Sequence, residues 1–134
     1  MEEGLTISFT KGQTLQGVIM DAGWKVAEFS EIEATVSSTG KDGYTVKFTI
    51  LSPKKYEGVI VPSWHYDDIG LGNLHKVFEA IVGHKIDSEK QYNAQALLKK
   101  PLKIHTSQGT YNDRPTNNIN EFTTMNNERA TVRE

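Results

Sequence analysis

Cysteine is missing altogether. The chain therefore has no disulfide, no cysteine nucleophile and no thiolate metal site, and the cytoplasm of a cell is the expected setting. Long apolar runs are missing too. No stretch approaches the roughly 18 apolar residues that a membrane-spanning helix needs, so no membrane partner is expected. The opening residues, MEEGLTISFT, carry acids and lack the basic start and apolar stretch of a signal peptide. There is no G-x-S-x-G elbow around any serine, and GLGN (70–73) is too short for a Walker A loop and lacks its Lys-Ser or Lys-Thr. A global excess of positive charge, the usual footprint of a nucleic-acid binder, is also absent, because the net charge is −2.

What is present is unevenly spread. Residues 1–40 hold two lysines against six acids, whereas residues 41–114 hold eleven Lys or Arg against eight acids. Any nucleic-acid contact must then use a local patch in the middle of the chain. The length of 134 residues suits one domain with a modest core, and 37% hydrophobic residues leave room for polar loops and ends.

Periodicity places the elements. ISF and GVIM in the first twenty residues read as short strands of an N-terminal arm, 1–20. From Trp24 the chain turns strand-like. Trp24, Val26 and Phe29 start the run, and Ile32, Ala34 and Val36 then alternate with Glu31, Glu33 and Thr35; a helix over 26–34 is the weaker alternative, because β-branched residues follow it. STGKDG is a turn. YTVKFTIL alternates cleanly, with Val46, Phe48 and Ile50 on one face and Thr45, Lys47 and Thr49 on the other. SPKK turns the chain into YEGVIVPSW, the second arm of a hairpin, where Gly58 signals a bulge or close contact and Pro62 an edge. DDIGLGNLHKVFEAIVGHK is a helix, with Leu71, Leu74, Val77, Phe78, Ile81 and Val82 on one side, Asp68 or Asn73 as cap and Gly83 just past the end. DSEKQ is a loop and YNAQALLKK a helical turn stopped by Pro101. PLKIHTSQGTYND reads as a strand turning at Gly109, NNINEFTTM as the last strand, and 125–134 as a mobile polar tail.

Five short strands with one helix after the third is the layout of the OB barrel. The expected fold is therefore mainly β, an OB-like five-stranded barrel over residues 21–124. An open α+β sheet is the main alternative.

Several stretches carry a resemblance. AGWKVAEFSEIEA (22–34), STGKDGYTVKFTIL (38–51), NLHKVFEAIVG (73–83) and, above all, ALLKKPLKIHTSQGTYNDRPTNNINEF (96–122) resemble a family of small phage proteins associated with replication and recombination. The resemblance covers roughly residues 21–124. It implies an OB-like fold and binding of single-stranded DNA, with replication or recombination proteins or a second copy of the chain as further partners. The chain departs from bacterial single-stranded DNA-binding proteins in one respect: ERATVRE mixes both charge signs where those proteins carry a strongly acidic tail.

Single-strand binding needs flat rings for bases and cations for phosphates. Lys41, Lys47, Lys54 and Lys55 fall in the hairpin that an OB barrel uses as its groove, and Lys103, Tyr111 and Arg114 fall near the later loop. Trp64 and Tyr66 share one parity and read equally as base platforms or as core. The competing readings of VIVPSWHYDD (59–68) are duller or sharper. His65 with Asp67 or Asp68 and His75 forms a metal set only if they converge in a pocket, and their spacing fits no metal motif. The two aspartates also suit a helix N-terminus. Ser63 is not expected to meet His65, since nearby residues on a strand point to opposite faces. The rival function is a protein–protein adaptor or virion component on the same scaffold.

Overall fold

The computed structural model describes residues 18–86 and 93–133, with the Asp68 side chain outside that set. The chain runs β1 (Gly23–Val36), β2 (Asp42–Ser52), a 3₁₀ turn (Lys54–Tyr56), β3 (Ile60–Tyr66), α1 (Asp67–Val82), a second 3₁₀ turn (Ala94–Leu97), β4 (Pro101–Tyr111) and β5 (Arg114–Thr123). The five strands form one antiparallel sheet in the order β3-β2-β1-β4-β5. The mainly β class, the five strands and the helix after the third thus match the sequence pattern. Among the described residues no ladder joins β3 to β5, so the sheet does not close into a barrel.

The sheet is nevertheless strongly curled. Phe48 on β2 and Phe122 on β5 are three strands apart in the sheet, yet their rings lie 5.6 Å apart. His65 on β3 reaches the same Phe122 at 6.5 Å. Three register shifts supply curl, two between β1 and β2 and one between β4 and β5, because an extra residue on one strand sharpens the local twist. Helix α1 packs against both β3 and β5 and spans the seam between the two edges.

One of those shifts decides which face of β1 is inside. Phe29 pairs with Phe48 and Glu31 with Lys47, so Ser30 is the extra residue. Upstream of it Lys25, Ala27 and Phe29 face the core; downstream the phase flips and Ile32 packs on the same cluster. Trp24 and Val26, which start the strand as expected, have the parity that lies outside upstream of Ser30. Both turn outward, and Trp24 meets His105 edge-on at 5.2 Å. Lys25 takes the inward place, 3% exposed. Its ammonium donates to the Asp21 and Gly23 carbonyls and to Thr106 Oγ1, at 2.8, 3.2 and 3.1 Å. Three donors meet three acceptors, which is what makes a buried ammonium tolerable. Burial still pulls its pKa down, against the pull of Asp21 upward. The core proper is Phe29, Phe48, Val46, Ile50, Val61, Val77, Leu102 and Ile104, with Phe78 of α1 tilted onto Phe29 at 6.1 Å.

Other boundaries move for local reasons. Gly58 sits in the turn before β3, at φ +94°, rather than inside the strand. Pro62 does lie on an edge strand, where its missing N–H is cheapest. The helix starts directly at Asp67, with Tyr66 in the cap position and no side-chain cap bond, so neither Asn73 nor Asp68 is the cap residue; Gly83 ends the helix in the left-handed region as expected. Strand β4 runs through Gly109, and the hairpin turns at Asn112–Asp113, φ 51° and 62°, the pair of positive values a two-residue hairpin turn requires. The ISF strand and the DSEKQ loop fall outside the described residues. Val18–Met20 forms no strand; the Asn117 side-chain amide holds it at both the Val18 carbonyl and the Met20 N–H. The polar end is not loose either. Asn127 accepts from Lys103 Nζ through its carbonyl, Ala130 is fully buried, and Val132 bridges to Trp24.

Candidate nucleic-acid interface

The outward face of the β1–β2–β3 hairpins is built in rows by the register. Glu33, Thr45 and Trp64 form one row, and Thr35, Gly43 and Tyr66 the next. Glu31, Lys47 and Pro62 form the row on the other side of Trp64. Alternation puts Val46 and Phe48 inside, so Thr45 and Lys47 must point out. The same rule on β3 puts Val61 and His65 inside and turns Ile60, Pro62, Trp64 and Tyr66 out.

The two rings are therefore not sealed in the core. Trp64 is 60% exposed. Tyr66 does something more specific. A Cβ at Gly43 would stand 2.5 Å from its Cδ1, and its hydroxyl reaches Thr35 Oγ1 at 3.2 Å. The ring thus leaves β3, crosses β2 at the one residue without a side chain, and ends on β1. A ring laid flat on a sheet presents one π-face to solvent.

The cations are arranged less favourably than the sequence suggested. Lys47 pairs with Glu31 at 3.0 Å, Lys41 with Asp67 at 2.8 Å, and Lys55 with Asp21 at 3.5 Å. The hydrogen bond to Asp67 and its charge raise the Lys41 pKa. Glu33 adds a further carboxylate to the same face. Lys41, Lys47, Trp64 and Tyr66 are brought together on this face. Lys54 and Lys55 lie at its far end, where Lys55 sits 5.0 Å above the Tyr56 ring. Tyr111, 73% exposed, and Arg114 face each other across the β4–β5 turn. That turn lies past the start of β1, whereas Lys41 lies past its end. Lys103 opens on the outer face of β4, its ammonium held by the C-terminal segment.

The metal reading with Asp67 finds no support, and its Asp68 alternative lies outside the described side chains. Among the described residues no three His, Asp or Glu side chains gather, Asp67 is engaged with Lys41, His75 Nδ1 lies 2.8 Å from Glu79, and His65 has both nitrogens engaged. One side of His65 is the Ser63 hydroxyl, 2.7 Å from Nε2; the other is the Gly70 carbonyl, 3.1 Å from Nδ1. The expectation that Ser63 and His65 diverge is corrected here: they are two apart, not one, and share the inward face. A carbonyl only accepts, so Nδ1 carries the proton and Nε2 accepts from Ser63. Burial holds the His65 pKa below the ordinary imidazole value, partly offset by the bond to Gly70. The neutral ring is thus the folded form.

The sign of the resulting pH dependence follows. Above the unfolded value of about 6.5 neither state binds the proton, and the contribution is complete. As pH falls below it, the unfolded chain takes up a proton that the folded chain refuses, and stability is lost until the lower folded value is passed. Urea midpoints should therefore drop between pH 7.5 and 5.5, and His65→Gln should shrink that drop. An equal drop in the variant would remove His65 as the source.

No protein-family model matches this chain, and a search of curated proteins returns no match to it. The resemblance noted over residues 21–124 stands on those residues alone.

Proposed function

We propose that this protein binds single-stranded DNA with little sequence preference, through an OB-like fold, and serves phage replication or recombination. The observation that supports the reading best is the Tyr66 ring laid across Gly43 beside the exposed Trp64, with Lys47 and Lys41 on the same face. Two adjacent rings offer stacking surfaces that every base can use, each worth about 1–3 kcal/mol. Lys54, Lys55 and Tyr56 extend the path at one end, and Tyr111 with Arg114 flanks it beyond the start of β1. A labelled oligo(dT) titrated at low salt tests the reading. Binding at micromolar protein, weakening as salt rises, is expected; no binding under those conditions removes it.

The acids make a second expectation. Glu31 holds Lys47 at 3.0 Å, so a phosphate has to displace a carboxylate before it gains the lysine. Glu31→Gln should tighten oligo(dT) binding and steepen the salt dependence by about 0.7, the slope of one more phosphate contact on a single strand. Glu128→Gln, at an exposed position in the C-terminal segment, should change neither.

One observation favours the adaptor instead. Ile60, 51% exposed, Pro62 and Trp64 form an apolar row on an edge strand beside three neutralised lysines. A protein partner would use that row and show no salt-sensitive affinity for oligo(dT).

A further inference from the structure

Between β3, α1 and β5 lies a cleft of about 740 Å³. Trp64 of the ring-bearing face reaches its rim, whereas Ser63 and His65, which also line it, have the inward parity of β3. The binding role proposed above uses neither residue.

The two side chains form an ordered relay. Ser63 Oγ donates to His65 Nε2 at 2.7 Å, and His65 Nδ1 donates to the Gly70 carbonyl at 3.1 Å. The tautomer is forced, since Gly70 offers only an acceptor. The ring cannot swing, because it is 2% exposed and packed on Phe122. The backbone of Gly70 lies against His65 so closely that a Cβ there would stand 2.6 Å from the His65 carbonyl carbon. A hydroxyl, a base within hydrogen-bond reach and a third group that orients the base are the parts of an activated nucleophile. We propose that Ser63 is such a nucleophile, taking an acyl or phosphonyl group from a small activated ester that enters this cleft.

The step balances on the groups present. A lone pair of Ser63 Oγ forms the bond to the carbonyl carbon as the Oγ proton passes to His65 Nε2. The carbonyl π pair moves to oxygen and returns, and the bond to the leaving alkoxide breaks. The alkoxide takes the proton from Nε2, leaving O-acyl-Ser63, an alcohol and neutral His65. Asn73 and Lys76 line the same cleft and are the side-chain donors nearest in kind to what a developing oxyanion needs. The orienting group is a backbone carbonyl and not a carboxylate, so the imidazolium has no countercharge of its own. Reaction with activated esters is therefore expected, and turnover of amides is not. Burial, which keeps His65 neutral, leaves Nε2 free as a base at pH 7.

A fluorophosphonate probe tests the assignment on the full chain. Its P–F bond breaks as Oγ–P forms, fluoride leaves, and the proton passes through Nε2 to solvent. Intact mass and peptide mapping should show one adduct, on Ser63, formed at least about tenfold faster than on Ser107. Ser107 also makes a side-chain hydrogen bond, but to an amide oxygen, Asn120 Oδ1, rather than to a base. The rate at Ser63 should be flat above neutral pH and fall as His65 protonates in acid. Ser63→Ala should lose that adduct, and Ser63→Cys should take up iodoacetamide at the same position. If Ser63→Ala fails to fold, the mapped site and its pH profile in the native chain decide. No adduct at Ser63, a rate equal to that at Ser107, or a pH profile without the acid limb overturns the proposal and leaves a structural hydrogen bond.

Discussion

Replacing Gly43 with alanine should lower stability by about 2–4 kcal/mol, the range of severe steric substitutions. A Cβ built there would stand 2.1 Å from the His65 carbonyl oxygen and 2.8 Å from Tyr66 Cα, both backbone, and 2.5 Å from the Tyr66 ring. Backbone atoms in a paired strand cannot step aside singly. Either β3 lifts off β2 over this stretch, or Tyr66 leaves its place on the sheet. Gly109→Ala is the fitting control. Its Cβ would meet Asn118 Nδ2 at 2.2 Å, but that is the end of an exposed side chain that can rotate away, so the loss should stay below about 1 kcal/mol. Urea melts of the two variants check the contrast. Equal losses would mean that β3 and β2 are not held at the spacing described.

That contrast marks the limit of reading a sequence. STGKDGYTVKFTIL advertises a turn and a strand, and Gly43 looks like turn chemistry. Nothing in its neighbours says that a tyrosine from 23 residues later will lie across it. Local signals did locate β2, the helix and its Gly83 terminus, because each depends on residues a few positions apart. The first half of β1 could not be phased from sequence, because Ser30 interrupts the alternation without any signature of its own, and a single extra residue exchanges the two faces. The turn at Asn112–Asp113 was legible in principle, since Asn and Asp tolerate positive φ, but Gly109 is the stronger marker and drew the turn three residues early.

The candidate interface was legible in part, for the same reason. Parity put Trp64, Tyr66 and Lys47 on definable faces. Which acids oppose the lysines depends on register between strands and on loop ends. Glu31 meets Lys47 only because of the shift at Ser30, and Lys41 meets Asp67 only because β2 begins where β3 runs straight into α1. A charge count by segment sees an excess of lysines in the middle of the chain. The fold brings acids from the N-terminal third, Asp21 and Glu31, onto those lysines, and the excess largely disappears locally. The Ser63–His65 pair was within reach of parity alone, being two residues apart on one strand.

Trp64→Ala is the substitution expected to cost binding most. At 60% exposure the indole contributes little to the core, so stability should move by less than about 1 kcal/mol. One lost base stack is worth about 1–3 kcal/mol, which is roughly 5- to 150-fold in affinity for oligo(dT). The salt slope should not change, because no phosphate contact is removed. Glu31→Gln should do the reverse, raising affinity and steepening the slope while leaving the ring in place. The pair separates the two functions on offer. A stacking groove responds to both variants, in opposite directions. An apolar docking row responds to Trp64→Ala in partner binding and is indifferent to Glu31→Gln in DNA titrations. If Trp64→Ala binds oligo(dT) as well as the unaltered chain, the face built from Gly43, Thr45, Trp64 and Tyr66 is not where bases stack.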